Sequence, residues 1–449
     1  MAAIGQQLAP EQAVGAVSNS VSSDPAVITD EVIAANGQTA SIRSVKDHNG
    51  TELYSMDASG HVTKMLYDVS DYAAYASYII YIVGSTYYCK SGASGKVLTS
   101  GANAATVIQY ALDELATDLG GTLLIKKGAY PLATGLVVAG SGIHIVGEGR
   151  NENADGGTVL DYDCPTEGFA IFASKAATRL NNISVSNLSI MASGTSQTFG
   201  NAHGILFDTC EVCRVDQVNI RGFSAGTAIG VMCRSNLSDE YSENIMVNHC
   251  FLYLNKYGLY ANGNNNSGNG VNRVKADNVV IIGTGSTTGY GIIWGPYTDS
   301  CLVSGGNVEN CLYALENYGL NNTYFGSRTE FDANQLNIDT GASNCAVFGH
   351  TFSGGGTYLT GAYIGFPYTR YYACSGLVTE SRSEAVIPNG QTSVVVTHYC
   401  PTAPWTVLIT GENQDTGACW VDTIGATTFT IHAPAAVGGD RIIKWRADL

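Results

Sequence analysis

Apolar residues come along most of this chain in short runs broken by glycine and asparagine, as in "VSNLSI" (185–190) and "VDQVNI" (215–220). Such runs, bounded by turn residues, predict short strands. One segment departs from this: in "AATVIQYALDELATDLGG", Val107, Ile108, Ala111, Leu112, Leu115 and Leu119 keep helical spacing up to Gly120–Gly121. The pattern predicts a helix over 106–119 with a glycine C-cap. A second segment imitates one. In "NVENCLYALEN" (307–317), Val308, Leu312 and Leu315 fall at i, i+4 and i+7, and Glu309 and Glu316 share their spacing.

Repeats decide against a helix there. Aligning 302–324 with 325–347 sets Leu302 on Phe325, Val308 on Phe331, Tyr313 on Leu336 and Leu315 on Ile338, a constant step of 23. Phe348 and Leu359 continue the columns, and Tyr290 and Ile292 precede Tyr313 and Leu315 by the same step. Val279 to Val308 is 29, with "GTGSTTG" (283–289) as an insertion, and the two six-residue runs quoted first are 30 apart. A period in the low twenties with Gly/Asn turns and no helix predicts a parallel β-helix, because leucine-rich repeats would need L-x-x-L-x-L. Coils then stack about 4.8 Å apart, with inward apolar ladders and outward surface ladders. The free strand edges at each end need a cap, and helix 106–119 is placed to supply the first.

The stretch 101–150 carries a resemblance. A helix over Gln109–Leu115, then Gly120–Tyr130 reading Gly-Gly-x-apolar-apolar up to Gly-x-Tyr, then Gly147–Gly149 closing an apolar run, resembles the opening of the pectate-lyase-like right-handed parallel β-helix family. The resemblance covers roughly 100–375. It implies the fold but not an activity, since lyases, hydrolases, viral tailspikes and adhesins share it. The expected class is therefore all-β: a right-handed parallel β-helix with an N-terminal capping helix and a small C-terminal β-sandwich. Residues 1–40 read as an anchor or attachment segment, 41–100 as a small β module, 101–380 as the β-helix, and 381–449 as the sandwich. The last module resembles those that end tail fibres and surface β-helices.

Composition narrows the partners. With 22 Lys+Arg against 38 Asp+Glu and no basic block, the chain has nothing to follow a phosphate backbone, so no nucleic acid is expected. "YIIYIV" (78–83) is too short to span a bilayer, and "MAAIGQQLAPEQ" lacks the basic and apolar regions of an ordinary signal peptide. The 26 tyrosines against 12 phenylalanines suit a wet, sugar-facing surface as well as an ordinary β surface. Twelve cysteines are spread over the chain; "CEVC" (210–213) is a lone C-x2-C that reads as core, and Cys400 and Cys419 lie where a bridge between strands is conceivable.

Candidate chemistry follows from the 23-residue register. It stacks Glu309 over Asp332 and Glu316 over Asp339, and carboxyls on adjacent coils approach about 5 Å, the separation of retaining glycosidases. Crowded acids raise one another's pKa, which suits a general acid; solvated surface acids are the plainer account. Trp294, Tyr297 and Tyr318 are the candidates to stack on a sugar, whereas Tyr290 and Tyr313 fall in inward columns. Asp208, Glu211 and Asp216 with His203 form a second acidic set. The loop "SDEYSEN" (238–244) lacks EF-hand spacing, so neither a metal nor a cofactor is expected. Asn187, Asn278 and Asn307 read as a turn ladder. His203 in "AHGI" matches the polygalacturonase histidine poorly, no Asp-Asp pair exists, and the arginine motifs of pectate lyases are missing, so a standard pectinase is not expected.

These features lead to a virion tailspike-like or fibre-like homotrimer. It would bind cell-surface polysaccharide or glycoprotein for host recognition and join a tail or baseplate through its N-terminus. The alternatives are a glycoside hydrolase or polysaccharide lyase using the stacked acids, and a cellular surface adhesin or sheath protein.

Overall fold

The computed structural model describes 29–32, 43–46, 52–56 and 62–65. From 76 on it describes all residues except 152–155, 165–167, 176–177, 195–201, 237–239, 264–269, 286, 356, 362–368, 377–379, 412–417, 435–438 and 449. The chain divides into Met1–Tyr75 and Ala76–Leu449. The first unit contains an antiparallel meander of Thr29–Val32, Arg43–Lys46, Glu52–Met56 and Val62–Met65. Its first strand lies within the segment read as an anchor, and the strand pairs with Arg43–Lys46.

The second unit is a right-handed parallel β-helix closed by a β-sandwich. One coil shows the plan. Ser184–Ser186 belongs to a first sheet, Ser189–Ala192 to a second and Ala202–Asp208 to a third, then Cys210–Glu211 joins a short fourth strip before Arg214–Asp216 re-enters the first sheet. Alternation sends every second side chain inward, and parallel registry stacks like on like. The first sheet thus builds the buried column Leu123, Ile145, Val185, Val215, Val247, Ala276, Val303, Tyr324, Val347 and Tyr371. The third builds Ile171, Ile205, Val231, Leu259, Ile292, Leu315, Leu336 and Leu359.

Corners between the first and second sheets are two-residue turns that need a left-handed residue. Asn187, Gln217, His249 and Asn278 supply it with φ of 49–54°, and Gly305, Gly326 and Gly349 with φ of 57–65°. Each N–H donates to a carbonyl of the next coil, as Asn278 does to Ser304 at 2.8 Å, so the turn backbone is satisfied along the stack. Asn187 and Asn278 belong to this ladder; Asn307, read with them, instead opens the strand Asn307–Glu309, and Gly305 holds the turn.

The cap runs over Ala104–Thr117, two residues ahead of the helix read over 106–119. Asn103 accepts the Thr106 N–H at 3.1 Å, and Val107, Ile108, Ala111, Leu112 and Leu115 are buried. Leu119 is not part of the buried face. It sits beyond the helix at φ 65°, 92 % exposed, and Gly120 N–H closes onto the Leu115 carbonyl at 2.8 Å. Residues 78–101 extend the first sheet rather than a separate module: Tyr78–Val83 pairs in parallel with Gly121–Ile125 and continues antiparallel through Thr86–Ser91 to Val97–Gly101.

At the other end, Glu380–Ile387, Arg441–Asp448 and Thr406–Gly411 form one antiparallel sheet, and Ser393–Thr397, Thr428–His432 and Trp420–Asp422 form another. Phe429 and Trp445 meet edge to face between them, with centroids 5.2 Å apart. All twelve cysteines are free thiols, so Cys400 and Cys419 make no bridge.

The 23-residue register holds for Tyr290 on Tyr313 and for Thr323 on Ala346, but not across the intervening corner. There Leu302 pairs with Thr323, Val308 with Thr329, and Leu315 with Leu336, steps of 21. The corner 318–322 is two residues shorter than its counterparts 295–301 and 339–345. Upstream, Ile281 rather than Val279 lies on Val308, a step of 27.

Candidate functional site

The outward face of the third sheet concentrates aromatic residues. Its strands Tyr257–Asn262 and Tyr290–Trp294 open with Tyr-Gly, and Tyr313–Asn317 opens with Tyr-Ala. The small residue turns inward against the core: a Cβ on Gly291 would lie 2.4 Å from Val308 Cγ1. Two successive inward residues, Gly291 and Ile292, throw the preceding tyrosine outward. Tyr257, Tyr290 and Tyr313 therefore stack coil on coil, with centroids 4.7 and 5.7 Å apart and planes within 13° and 22° of parallel. Tyr260 adds a fourth ring 6.2 Å from Tyr257, and Lys256 Nζ lies 5.6 Å over Tyr290. Further up the same face, Phe169 stacks on His203 at 4.5 Å. The reading of Tyr290 and Tyr313 as inward is thereby corrected, and the Tyr-Gly pairs are the signal that identifies them.

Beside this strip, the outward column runs Tyr260, Ile293, Glu316, Asn337 and Thr360. Glu316 is 6 % exposed. Its Oε1 accepts from Tyr318 Oη at 2.7 Å and Asn337 Nδ2 at 3.1 Å, and Asn337 Oδ1 accepts from Thr360 Oγ1 at 3.1 Å. Burial raises its pKa above the usual carboxylate range against the pull of these two hydrogen bonds, and the charge of Asp339 adds to the rise. Burial, and then the hydrogen bond to Glu316, raises Tyr318 in turn. The result is one fixed carboxyl at the end of an aromatic strip, able to accept from a hydroxyl or, when protonated, to donate.

The other residues singled out from sequence fall elsewhere. Trp294 is fully buried on the inward side and offers no face to a ligand, which removes it from the stacking candidates. Tyr297 is 51 % exposed on a turn at φ 61°. Glu309 faces outward on the second sheet opposite Glu330, not Asp332, and Arg328 holds Glu330 at 2.7 Å. Asp339 does not lie opposite Glu316, whose partner is Asn337; its Oδ1 accepts the Thr340 N–H at 2.6 Å.

Asp332 is a corner staple, 1 % exposed, accepting the N–H groups of Cys311 at 2.7 Å and Glu330 at 3.0 Å. Burial lifts its pKa from 3.8 to about 7, with the neighbouring Glu309 and Glu330 adding. The folded protein then holds a proton that the unfolded chain releases near 3.8. This contribution is fully favourable below about pH 4 and is lost as pH rises through about 7. In denaturant titrations from pH 4 to 7 the wild type is expected to lose on the order of 2–4 kcal/mol relative to Asp332→Asn, the buried His203 and His350 acting alike in both proteins. Parallel curves for the two proteins would refute it.

The second acidic set is not assembled. Asp208 is held by Arg234 at 2.8 Å on the third sheet, Glu211 by Arg179 at 2.7 Å on the fourth, and Asp216 lies on the first. His203 accepts the Ile229 N–H at 3.1 Å, and burial lowers it to about 4. Of the loop 238–244, residues 238 and 239 lie outside the described residues. Among the described residues no group of three His, Cys, Asp or Glu is arranged to hold a metal ion.

Fold and surface together define a right-handed parallel β-helix with an aromatic outward face. No family model matches the sequence, and no curated protein matches it. Several solved structures are similar to it at low identity. Geobacillus virus E2 ORF18 is 12 % identical with a TM-score of 0.47, covering 92 % of this chain and 84 % of its own. The Dettilon tailspike protein is 13 % identical with a TM-score of 0.41, covering 77 % and 91 %. An alginate lyase from Paenibacillus sp. str. FPU-7 is 12 % identical with a TM-score of 0.39, covering 59 % and 97 %.

Proposed function

We propose that the chain binds a polysaccharide along the outward face of its third sheet, as a tailspike-like or fibre-like host-recognition protein on a virion surface. The observation that carries this is the strip Tyr257, Tyr290 and Tyr313, stacked across three coils beside the hydrogen-bonded Glu316, Asn337 and Thr360. Ring faces offer apolar contact to the C–H faces of sugars, while the fixed carboxyl and amide answer hydroxyls in one orientation. Attachment through the N-terminus and a homotrimeric state belong to the same reading. They are supported by the anchor-like composition of 1–40 and the C-terminal module's likeness to those of tail fibres.

A second reading, cleavage of the bound chain, is favoured by Glu316 itself. A buried carboxyl of raised pKa suits protonation of a glycosidic oxygen, with Asp339 an acid whose charge adds to that rise. Glycan arrays followed by incubation with the bound polysaccharide test both readings. Binding with no new reducing or unsaturated ends supports recognition alone, and products that vanish in Glu316→Gln support the enzyme. Failure to bind any bacterial surface glycan would overturn both. Light scattering tests the trimer, and a stable monomer would contradict the spike.

A further inference from the structure

A separate cleft lies where the first sheet turns into the second, across the second sheet from the tyrosine strip. It encloses about 390 Å³ and is lined by Arg150, Asn219, His249, Phe251 and Asn278, among others. Arg150 follows the strand Ile143–Gly147 and reaches three coils along the stack to donate to the carbonyl of His249. It is exposed, and among the described residues no ion pair engages it, in a chain with 38 acids to 22 bases. The acids flanking the corner are already engaged: Asp216 with Arg214 at 3.1 Å and His249 at 3.4 Å, and Asp277 with Lys275 at 3.6 Å. Among the described residues the Arg150 guanidinium thus stands at the mouth of a concave surface with no acid paired to it. Asn219 is 6 % exposed, and its Oδ1 has no hydrogen-bond partner among the described residues, an unmet demand of the kind a ligand hydroxyl or water answers. Phe251 stacks on Tyr253 at 5.7 Å, which fixes its ring at the cleft wall.

We propose that this cleft binds an acidic sugar unit. The carboxylate pairs with the fork of Arg150, the hydroxyls meet the amides of Asn219 and Asn278, and the C–H face rests on Phe251. The volume suits a mono- or disaccharide. Because the cleft and the tyrosine strip share no residue, this assignment stands or falls independently of the groove.

Isothermal titration of the full chain with sodium D-glucuronate, D-glucose and inorganic phosphate tests it. Glucuronate is expected to bind at least tenfold more tightly than glucose or phosphate. Arg150→Ala, at an exposed position, should erase that preference, and Arg150→Lys should restore part of it. Asn278→Asp keeps the shape of the turn residue and should abolish glucuronate binding by placing a like charge in the cleft, with the melting temperature checked to show that the fold is intact. Absence of glucuronate binding, equal affinity for glucose, or an affinity unchanged in Arg150→Ala would overturn the proposal. Phosphate binding as tight as glucuronate would overturn the sugar assignment.

Discussion

Trp294→Ala is expected to destabilise the β-helix by about 3–5 kcal/mol, read as a drop in the urea midpoint. Trp294 is the largest of the fully buried side chains. It occupies an inward column between Ala261 on one coil and Asn317 on the next, so its volume complements a small neighbour. Removing it leaves a cavity in a closely packed stack whose backbone is tied coil to coil and has little freedom to collapse. Tyr297→Ala, three residues on but half exposed, should cost less than about 1 kcal/mol. Had Trp294 served as a surface platform, its loss would weaken glycan binding and spare stability. The inward placement predicts the opposite division.

Much of the architecture is legible in the sequence. The helical spacing ending at Gly120, the Gly/Asn turns and the 30-residue step from Val185 to Val215 all recur in the structure. The site is less so, for reasons that can be located. A strand alternates every two residues, so the two-residue shortening at 318–322 leaves inward residues inward, and Leu315 lines up with an apolar partner in either register. The apolar columns therefore cannot distinguish 21 from 23, whereas the carboxyl pairs depend on it: Glu316 meets Asn337 instead of Asp339. Trp294, two residues past the inward Ile292, lies inward as plain alternation requires, while Tyr290 is turned outward by a local break. Two consecutive inward residues at Gly291 and Ile292 break the alternation, and a glycine followed by an apolar residue gives no periodic warning. Leu119 kept helical spacing one step past the C-cap, where left-handed backbone carries it into solvent.

The second large effect is on binding. Tyr290→Ala is expected to weaken affinity for the cognate polysaccharide by roughly 30-fold or more, equivalent to about 2 kcal/mol or above. Tyr290 is the middle ring of the strip, in contact with Tyr257 on one side and Tyr313 on the other, so its loss opens a gap in the platform and loosens both neighbours. Stability should change less than in Trp294→Ala, because the ring is only part-buried. Tyr290→Phe should retain most of the affinity if the ring face is what the sugar meets. A loss in the Phe variant as large as in the Ala variant would assign the binding to the hydroxyl instead.

The most direct measurement is a crystal structure of the protein with an oligosaccharide cut from a polysaccharide selected on the glycan arrays. The account predicts sugar density lying along Tyr257, Tyr290 and Tyr313, with a hydroxyl or glycosidic oxygen within hydrogen-bond reach of Glu316. Saturating oligosaccharide with that face bare, and the sugar ordered on another surface, would contradict it.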